Sequence, residues 1–313
     1  MKLLTIREEL TLGVDERLEY YKNLRKYVTE NQTDAHFYNF MRSIYYRITP
    51  MMRKYPVDKT CIFGEENVPK DSPCVFLLNH SNSHDFYSGL EFIHMLGKNP
   101  VILAGSDCLT PVQQQLFKMG KSVLIDRKSE SDCSKGDAKL VANALHGDDL
   151  VIFGEATWNL HPTEPMLPIH IGAVLTAAKA NIPIVPGIIE YVEKPEICKK
   201  ESELYKKVIV RFGKPIDEVA KKDPIATCNQ AQKEMEEMRR EIWCGEGIKR
   251  LKLSDIDPEI YINHTHLKKN SPLFTLDADY EAQFIRKTNG KPTENEYVNQ
   301  NGDLVPKIKI LTK

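Results

Sequence analysis

Excess charge of either sign is missing from this chain of 313 residues: 43 Lys and Arg stand against 44 Asp and Glu, a formal net charge of −1. Coating nucleic acid requires a basic surplus that displaces counterions, so that class of partner is excluded. Cysteine is sparse and scattered. The seven (Cys61, Cys74, Cys108, Cys133, Cys198, Cys228 and Cys244) form no Cys-x-x-Cys, which fits buried thiols in a reducing compartment rather than a disulfide framework. No apolar run reaches the roughly 20 residues that a membrane span takes. The richest stretch, Ile171 to Ile189, is broken by Lys179, Asn181, Pro183 and Pro186. The opening MKLLTIREEL meets charge too early to read as a secretory signal. Gly-x-Ser-x-Gly occurs nowhere, which removes the usual serine-hydrolase elbow, and no internal repeat is visible. What is there, 41% hydrophobic and 28% charged residues, is ordinary globular usage. The expected setting is cytoplasmic, with contact to the inner face of a membrane left open.

Three regions follow from the patterning. Residues 1–58 read as an N-terminal helical pair. Asp15 to Val28 is charged and amphipathic, and Phe37, Met41, Ile44 and Ile48 recur at helical spacing before Pro50 ends the run. Arg42 and Arg47 with the neighbouring tyrosines make that second stripe either a packing face or an interfacial helix beside a bilayer. Residues 59–249 alternate short apolar runs with helical patterns. Strands are expected at Cys74–Leu78, Val101–Ala104, Ser122–Ile125, Leu150–Phe153, Ile184–Ile189 and Val208–Phe212, with helices at Phe86–Leu96, Val112–Met119, Lys135–Leu145 and Ile171–Ala180. Such alternation specifies an α/β fold, a mostly parallel central sheet flanked by helices. A long polar helix with Ala231, Met235, Met238 and Ile242 on its buried stripe closes the domain. In residues 250–313, Asn289-Gly290 and Asn301-Gly302 flank strand-like Tyr297-Val298 and Ile308–Leu311, which suggests a small C-terminal β appendage of unassigned role.

In open α/β sheets chemistry gathers where strands end and helices begin. The run Val75 to Leu78 leads directly into Asn79-His80-Ser81-Asn82-Ser83-His84-Asp85, and a helical pattern starts there. His80 lies in the loop and Asp85 in the first helical turn, where the helix dipole favours an anion. The short gap lets the chain reverse, so the carboxylate can reach one imidazole nitrogen and leave the other as a base. Taken alone, the pair is equally a loop histidine held by a structural carboxylate. His84 beside His80 raises a zinc reading, but Asp85 cannot serve both imidazole and metal, and no metal is expected.

Three further blocks follow in order: Gly120-Lys121-Ser122-Val123-Leu124-Ile125-Asp126-Arg127, Phe153-Gly154-Glu155-Ala156-Thr157-Trp158, and Ile182-Pro183-Ile184-Val185-Pro186. Together with His80-x4-Asp85 they resemble the glycerophospholipid acyltransferase family, over roughly residues 60–216. That resemblance implies a fatty acyl transfer from acyl-CoA or acyl carrier protein, as co-substrate, to a hydroxyl of a lysophospholipid or glycerol-phosphate-like acceptor, with no cofactor. It implies His80 as general base oriented by Asp85, and a substrate-binding set of Asn79, Gly120, Arg127, Glu155, Ala156, Thr157 and Pro186, with Arg127 on the acceptor phosphate. Read without the family, Arg127 could equally pair with Asp126 or Glu155.

The third block departs from the family's usual Phe-Pro-Glu-Gly-Thr-Arg: this chain has Gly154, Ala156 and Trp158 at the second, fourth and sixth places. Tryptophan cannot replace a bidentate guanidinium on a phosphate. Two alternatives therefore stand beside the first reading: transfer to a non-phosphorylated acceptor (a sugar, an amine or a neutral lipid), and a non-catalytic lipid- or carrier-binding protein with the same fold.

Overall fold

A computed structural model describes residues 1–31, 60–81, 85–106, 109–156, 159, 165–193, 205–246, 296–298 and 304–306. The helix expected at Phe37–Ile48, with Arg42 and Arg47, lies outside them, as do His84, Thr157, Trp158 and most of 250–313.

The N-terminal segment forms α1 (Ile6–Leu10) and α2 (Val14–Glu30). Thr5 and Glu8 cap α1 reciprocally, each satisfying a backbone N–H that the first turn leaves over. The body then runs β1 (Thr60–Phe63), β2 (Val75–Leu78), α3 (Asp85–Met95), β3 (Pro100–Gly105), α4 (Pro111–Met119), β4 (Val123–Ile125), α5 (Glu130–Leu145), β5 (Asp149–Phe153), α6 (Gly172–Ala180), β6 (Ile184–Glu193), β7 (Tyr205–Phe212) and α7 (Pro224–Gly245). Helix starts are written in the sequence: Thr110 caps α4 with Pro111 in its first turn, Ser129 caps α5, and Asp223 caps α7 ahead of Pro224.

The seven strands order as β1-β7-β6-β2-β5-β3-β4. Every neighbouring pair is parallel except β6 with β7, which is antiparallel. All the strands expected in this domain are present, and β1 is an addition. It pairs Thr60–Phe63 in register with Val208–Arg211, but with three half-buried residues and an exposed Phe63 it is too short to show a period. Strand β6 runs on to Glu193, past the expected end at Ile189.

Side chains alternate between two apolar layers, as the pleat requires. Val75, Leu77, Leu150, Ile152, Ile184 and Ile188 face α2, α5, α6 and α7. Phe76, Leu78, Ile102, Val151, Val185 and Ile189 face α3 and α4. Burial on both faces explains why the central strands read as unbroken hydrophobic runs. Tyr21, Leu24 and Val28 of α2 belong to the first layer, so the N-terminal helix shares the core of the α/β domain. In the C-terminal region β8 (Glu296–Val298) pairs antiparallel with β9 (Leu304–Pro306), and Asn301-Gly302 lies between them in sequence. Its second strand precedes the Ile308–Leu311 run, which is outside the described residues. Among the described residues no helix is long and apolar enough to cross a membrane.

Candidate active site

The parallel run β2-β5-β3-β4 brings three loops to one edge: His80 follows β2, Glu155 follows β5 and Arg127 follows β4. The His80 loop is held from several sides. The Asn79 amide, fully buried, donates to the Ile189 carbonyl (3.0 Å) and accepts from the Ile189 N–H (2.7 Å). It thereby supplies rungs between β2 and β6 after their own ladder has ended at Leu78 and Gly187. The His80 N–H donates to Glu155 Oε2 at 2.5 Å, and its carbonyl accepts from the Asn159 N–H at 2.6 Å. Its ring stacks on Phe153, centroids 4.6 Å apart.

Asp85 opens α3 and is fully buried, while 17% of the His80 side chain reaches solvent. Asp85 Oδ2 accepts from His80 Nδ1 (3.1 Å) and from the Ser81 N–H (2.6 Å). One oxygen thus fixes both the loop and the ring. A carboxylate on Nδ1 keeps the proton there and puts the lone pair on Nε2, the arrangement a general base needs. The reversal expected across residues 80–85 is therefore present.

Glu155 sits just past β5, 2% exposed, with its two oxygens on two backbone amides: His80 N–H and, at 2.7 Å, Leu167 N–H. Burial pushes its carboxyl up to about 7, and Asp85 adds to the rise, while Arg239 and the two amides oppose it. This position makes Glu155 a strut between the base loop and the segment at 165–170. Gly154 explains one departure from the family pattern. Its N–H donates to Leu78 O at 2.8 Å, a bond proline cannot make, and a Cβ there would come within 3 Å of Ile169 Cγ2 and Leu77 Cδ1.

Arg127 reaches back to the same turn: Nη1 donates to Ala156 O at 2.8 Å. The guanidinium also bears on His170, whose pKa is lowered by partial burial of the ring first and by Arg127 second. Ala156 has φ +55, the left-handed region that costs a Cβ-bearing residue about 1–2 kcal/mol. Ala156→Gly is accordingly expected to raise stability by about 1 kcal/mol, measured as the shift in the denaturation midpoint.

Not every expected site residue joins this edge. Gly120 caps the end of α4, ahead of β4, and so lies at the opposite end of that strand from Arg127. Pro186 is buried within β6 opposite Leu77, three residues short of the His80 level, and its carbonyl accepts from the Gly213 N–H at 2.7 Å. Two residues that no motif announced do join it. Arg239 of α7 donates through Nε to Glu190 Oε2 at 2.5 Å, and the charges of Glu155 and Asp85 act on it as well. A signal existed, because Arg239 falls four residues after Met235 and so lies on the apolar stripe of α7. Among the described residues no three His, Cys, Asp or Glu side chains gather to hold a metal ion.

Residues 59–190 match the acyltransferase family model. A chloroplastic 1-acyl-sn-glycerol-3-phosphate acyltransferase of Brassica napus is 32% identical over 137 residues, 42% of this chain and 37% of that protein. A 1-acyl-sn-glycerol-3-phosphate acyltransferase of Chlamydomonas reinhardtii is 31% identical over 135 residues, 42% and 38% of the two chains. The matched segment spans less than two fifths of either relative. The crystal structure of the 1-acyl-sn-glycerophosphate acyltransferase PlsC from Thermotoga maritima covers 71% of this chain and 88% of its own, at 15% identity and a TM-score of 0.49.

Proposed function

We propose that this chain, whose residues 59–190 match the acyltransferase family model, transfers a fatty acyl group from a thioester, acyl-CoA or acyl carrier protein, to a hydroxyl of a 1-acylglycerol-3-phosphate-like acceptor. The observation that supports this most directly is the His80 Nδ1···Asp85 Oδ2 contact at the carboxyl end of β2, inside the matched segment. In the proposed step the Nε2 lone pair of His80 takes the hydroxyl proton as the acceptor oxygen attacks the thioester carbonyl carbon. The C–S bond breaks, an ester forms, and the thiolate leaves with the proton that the imidazolium returns. Asp85 stabilises the imidazolium while it exists, and no acyl-enzyme is needed. The Glu155 strut and the Asn79 rungs hold the base still, which matters because small displacements of a reacting group cost rate steeply.

The test is thioester consumption by the purified chain, with acyl-CoA or acyl carrier protein as donor. Acceptors are lysophosphatidate, glycerol 3-phosphate and a neutral monoacylglycerol. Ester formation on a phosphorylated acceptor supports the reading. Transfer only to the monoacylglycerol moves the assignment to a neutral acceptor, the reading that Trp158 at the sixth place of the third block favours. No consumption with any pair leaves a binding protein.

Arg127 is the cation beside the turn that carries Glu155, and it is assigned to the acceptor phosphate. Arg127→Ala is expected to raise KM for lysophosphatidate by about 10–100-fold, the effect of losing a charge-assisted contact of about 1.5–3 kcal/mol. KM for the thioester should stay within about twofold, because Arg127 is not assigned to that substrate. Steady-state kinetics in each substrate separates the two.

A further inference from the structure

Three buried carboxylates, Asp85, Glu155 and Glu190, stand behind the His80 loop, and the buried cation whose field reaches all three is Arg239, 6% exposed. Its Nε bonds Glu190, an Nη1 donates to the Pro165 carbonyl, and its guanidinium lies 5.2 Å over the Trp243 ring. Helix α7 grips the segment 165–170 at two further points. Gln232 Oε1 accepts from the Ile169 N–H (3.1 Å), and the Cys228 thiol points at the Ile169 carbonyl (3.7 Å). That segment in turn grips the turn after β5. The Leu167 N–H donates to Glu155 Oε1, and the His170 N–H donates to Gly154 O at 2.8 Å. Glu155 then holds the His80 amide. A continuous set of contacts runs from α7 through this strap to the imidazole.

We propose that Arg239, outside the segment matched to the acyltransferase family, is a positioning residue for His80. It anchors the strap and supplies the positive charge that lets Glu155 act as a doubly accepting carboxylate between the His80 and Leu167 amides. The charge matters because a protonated carboxyl keeps only one good acceptor oxygen, and two amides need one each. Burial already favours the protonated form of Glu155, Asp85 reinforces it, and Arg239 opposes it. The groups that set the balance come from β2 and its loop (His80), α3 (Asp85), β5 (Glu155), β6 (Glu190) and α7 (Arg239). Without Arg239 the strut is protonated through neutral pH and the base loop loses one of its holds.

This inference rests on the acyltransferase reading for its kinetic arm only. Wild type, Arg239→Met, Arg239→Lys, Glu155→Gln and the Arg239→Met/Glu155→Gln double variant are compared in thioester consumption from pH 6.5 to 9, the last figure being about the limit for thioester stability. Arg239→Met is expected to lose about fivefold in kcat at pH 7, the effect of about one further unit of displacement on a carboxyl already pushed up to about 7. The deficit should all but disappear at pH 9, where the carboxyl is ionised in both proteins, with KM for both substrates little changed. Arg239→Lys restores the wild-type pH dependence, and Glu155→Gln is low at every pH. The double variant is no slower than Glu155→Gln, since Arg239 acts through Glu155. A loss in Arg239→Met that is equal at all pH values, or losses that multiply in the double variant, would overturn the proposal.

Amide hydrogen exchange followed by mass spectrometry needs no substrate. Segments 79–81 and 166–168 should exchange faster in Arg239→Met than in Arg239→Lys, with β3 unchanged. Faster exchange in β3 as well means general destabilisation and also overturns it. If wild type consumes no thioester yet the local exchange pattern appears, the function assignment fails and the positioning role stands.

Discussion

His80→Ala is expected to lower kcat for thioester consumption by about 10²–10⁴-fold, the range over which a positioned general base acts. The thermal midpoint should change little, because the ring is partly exposed and the loop is held by backbone rather than by the imidazole. Asp85→Asn separates orientation from charge. An amide oxygen can still accept from the Ser81 N–H and from Nδ1, so the loop survives, but the imidazolium formed in the reaction loses its counter-charge. We expect a loss of about 10–100-fold in kcat from that variant, smaller than for His80→Ala and concentrated in kcat rather than KM. Full activity in His80→Ala would remove the proposed base. Equal, complete inactivity of both variants together with loss of the folded state would show the pair to be structural.

The legible parts of this molecule are those whose partners are near in sequence. The His80–Asp85 contact closes within one strand-loop-helix unit, so residue types and a five-residue step were enough to place it. The central strands announce themselves through unbroken apolar runs because both faces are covered. What stayed hidden depends on distant pairing. Strand β1 exists because Thr60–Phe63 finds β7, about 150 residues later, and nothing in four residues of mixed exposure specifies that partner. Asn79 reads as a loop residue beside the base, but its role in the structure comes from Ile189 at a sequence separation of 110. Glu155 reads as a strand-end carboxylate facing substrate; its two oxygens are in fact occupied by the amides of His80 and Leu167, contacts that only the folded β2-β5 edge creates. Gly120 shares a motif with Arg127 yet lies at the other end of β4, because six residues of helix cap and strand separate the two by the whole strand length.

Lys179→Met is expected to cost about 3–5 kcal/mol of stability, the effect of stranding a buried partner charge. Lys179 on α6 is 3% exposed, yet it is paired with Glu9 of α1 (2.5 Å) and Asp137 of α5 (2.9 Å). The Tyr21 hydroxyl donates to the other oxygen of Glu9 at 2.6 Å, Thr176 donates to Asp137 at 2.5 Å, and Arg25 donates to the Lys179 carbonyl at 2.8 Å. Burial alone would lower the Lys179 pKa, but Asp137 and Glu9 outweigh it and hold it above the ordinary 10.5. The sign follows directly. A lysine whose folded pKa is raised contributes stability that is complete below 10.5 and disappears only as the pH climbs past its folded value, so wild type keeps this contribution throughout the physiological range. The methionine variant leaves the fully buried Glu9 without its cation, so burial, which already holds its carboxyl above the ordinary value, is no longer opposed by Lys179. Its deficit should therefore be largest near pH 8 and shrink toward pH 5 as the Glu9 carboxyl takes up a proton. Adding Glu9→Gln to Lys179→Met should recover part of the loss, since one stranded charge is gone. Denaturant unfolding of the two variants at pH 5 and pH 8 measures both effects. A deficit independent of pH, or a double variant weaker than the single one, would mean that packing of the lysine stem, and not its charge, joins the N-terminal helices to the α/β domain.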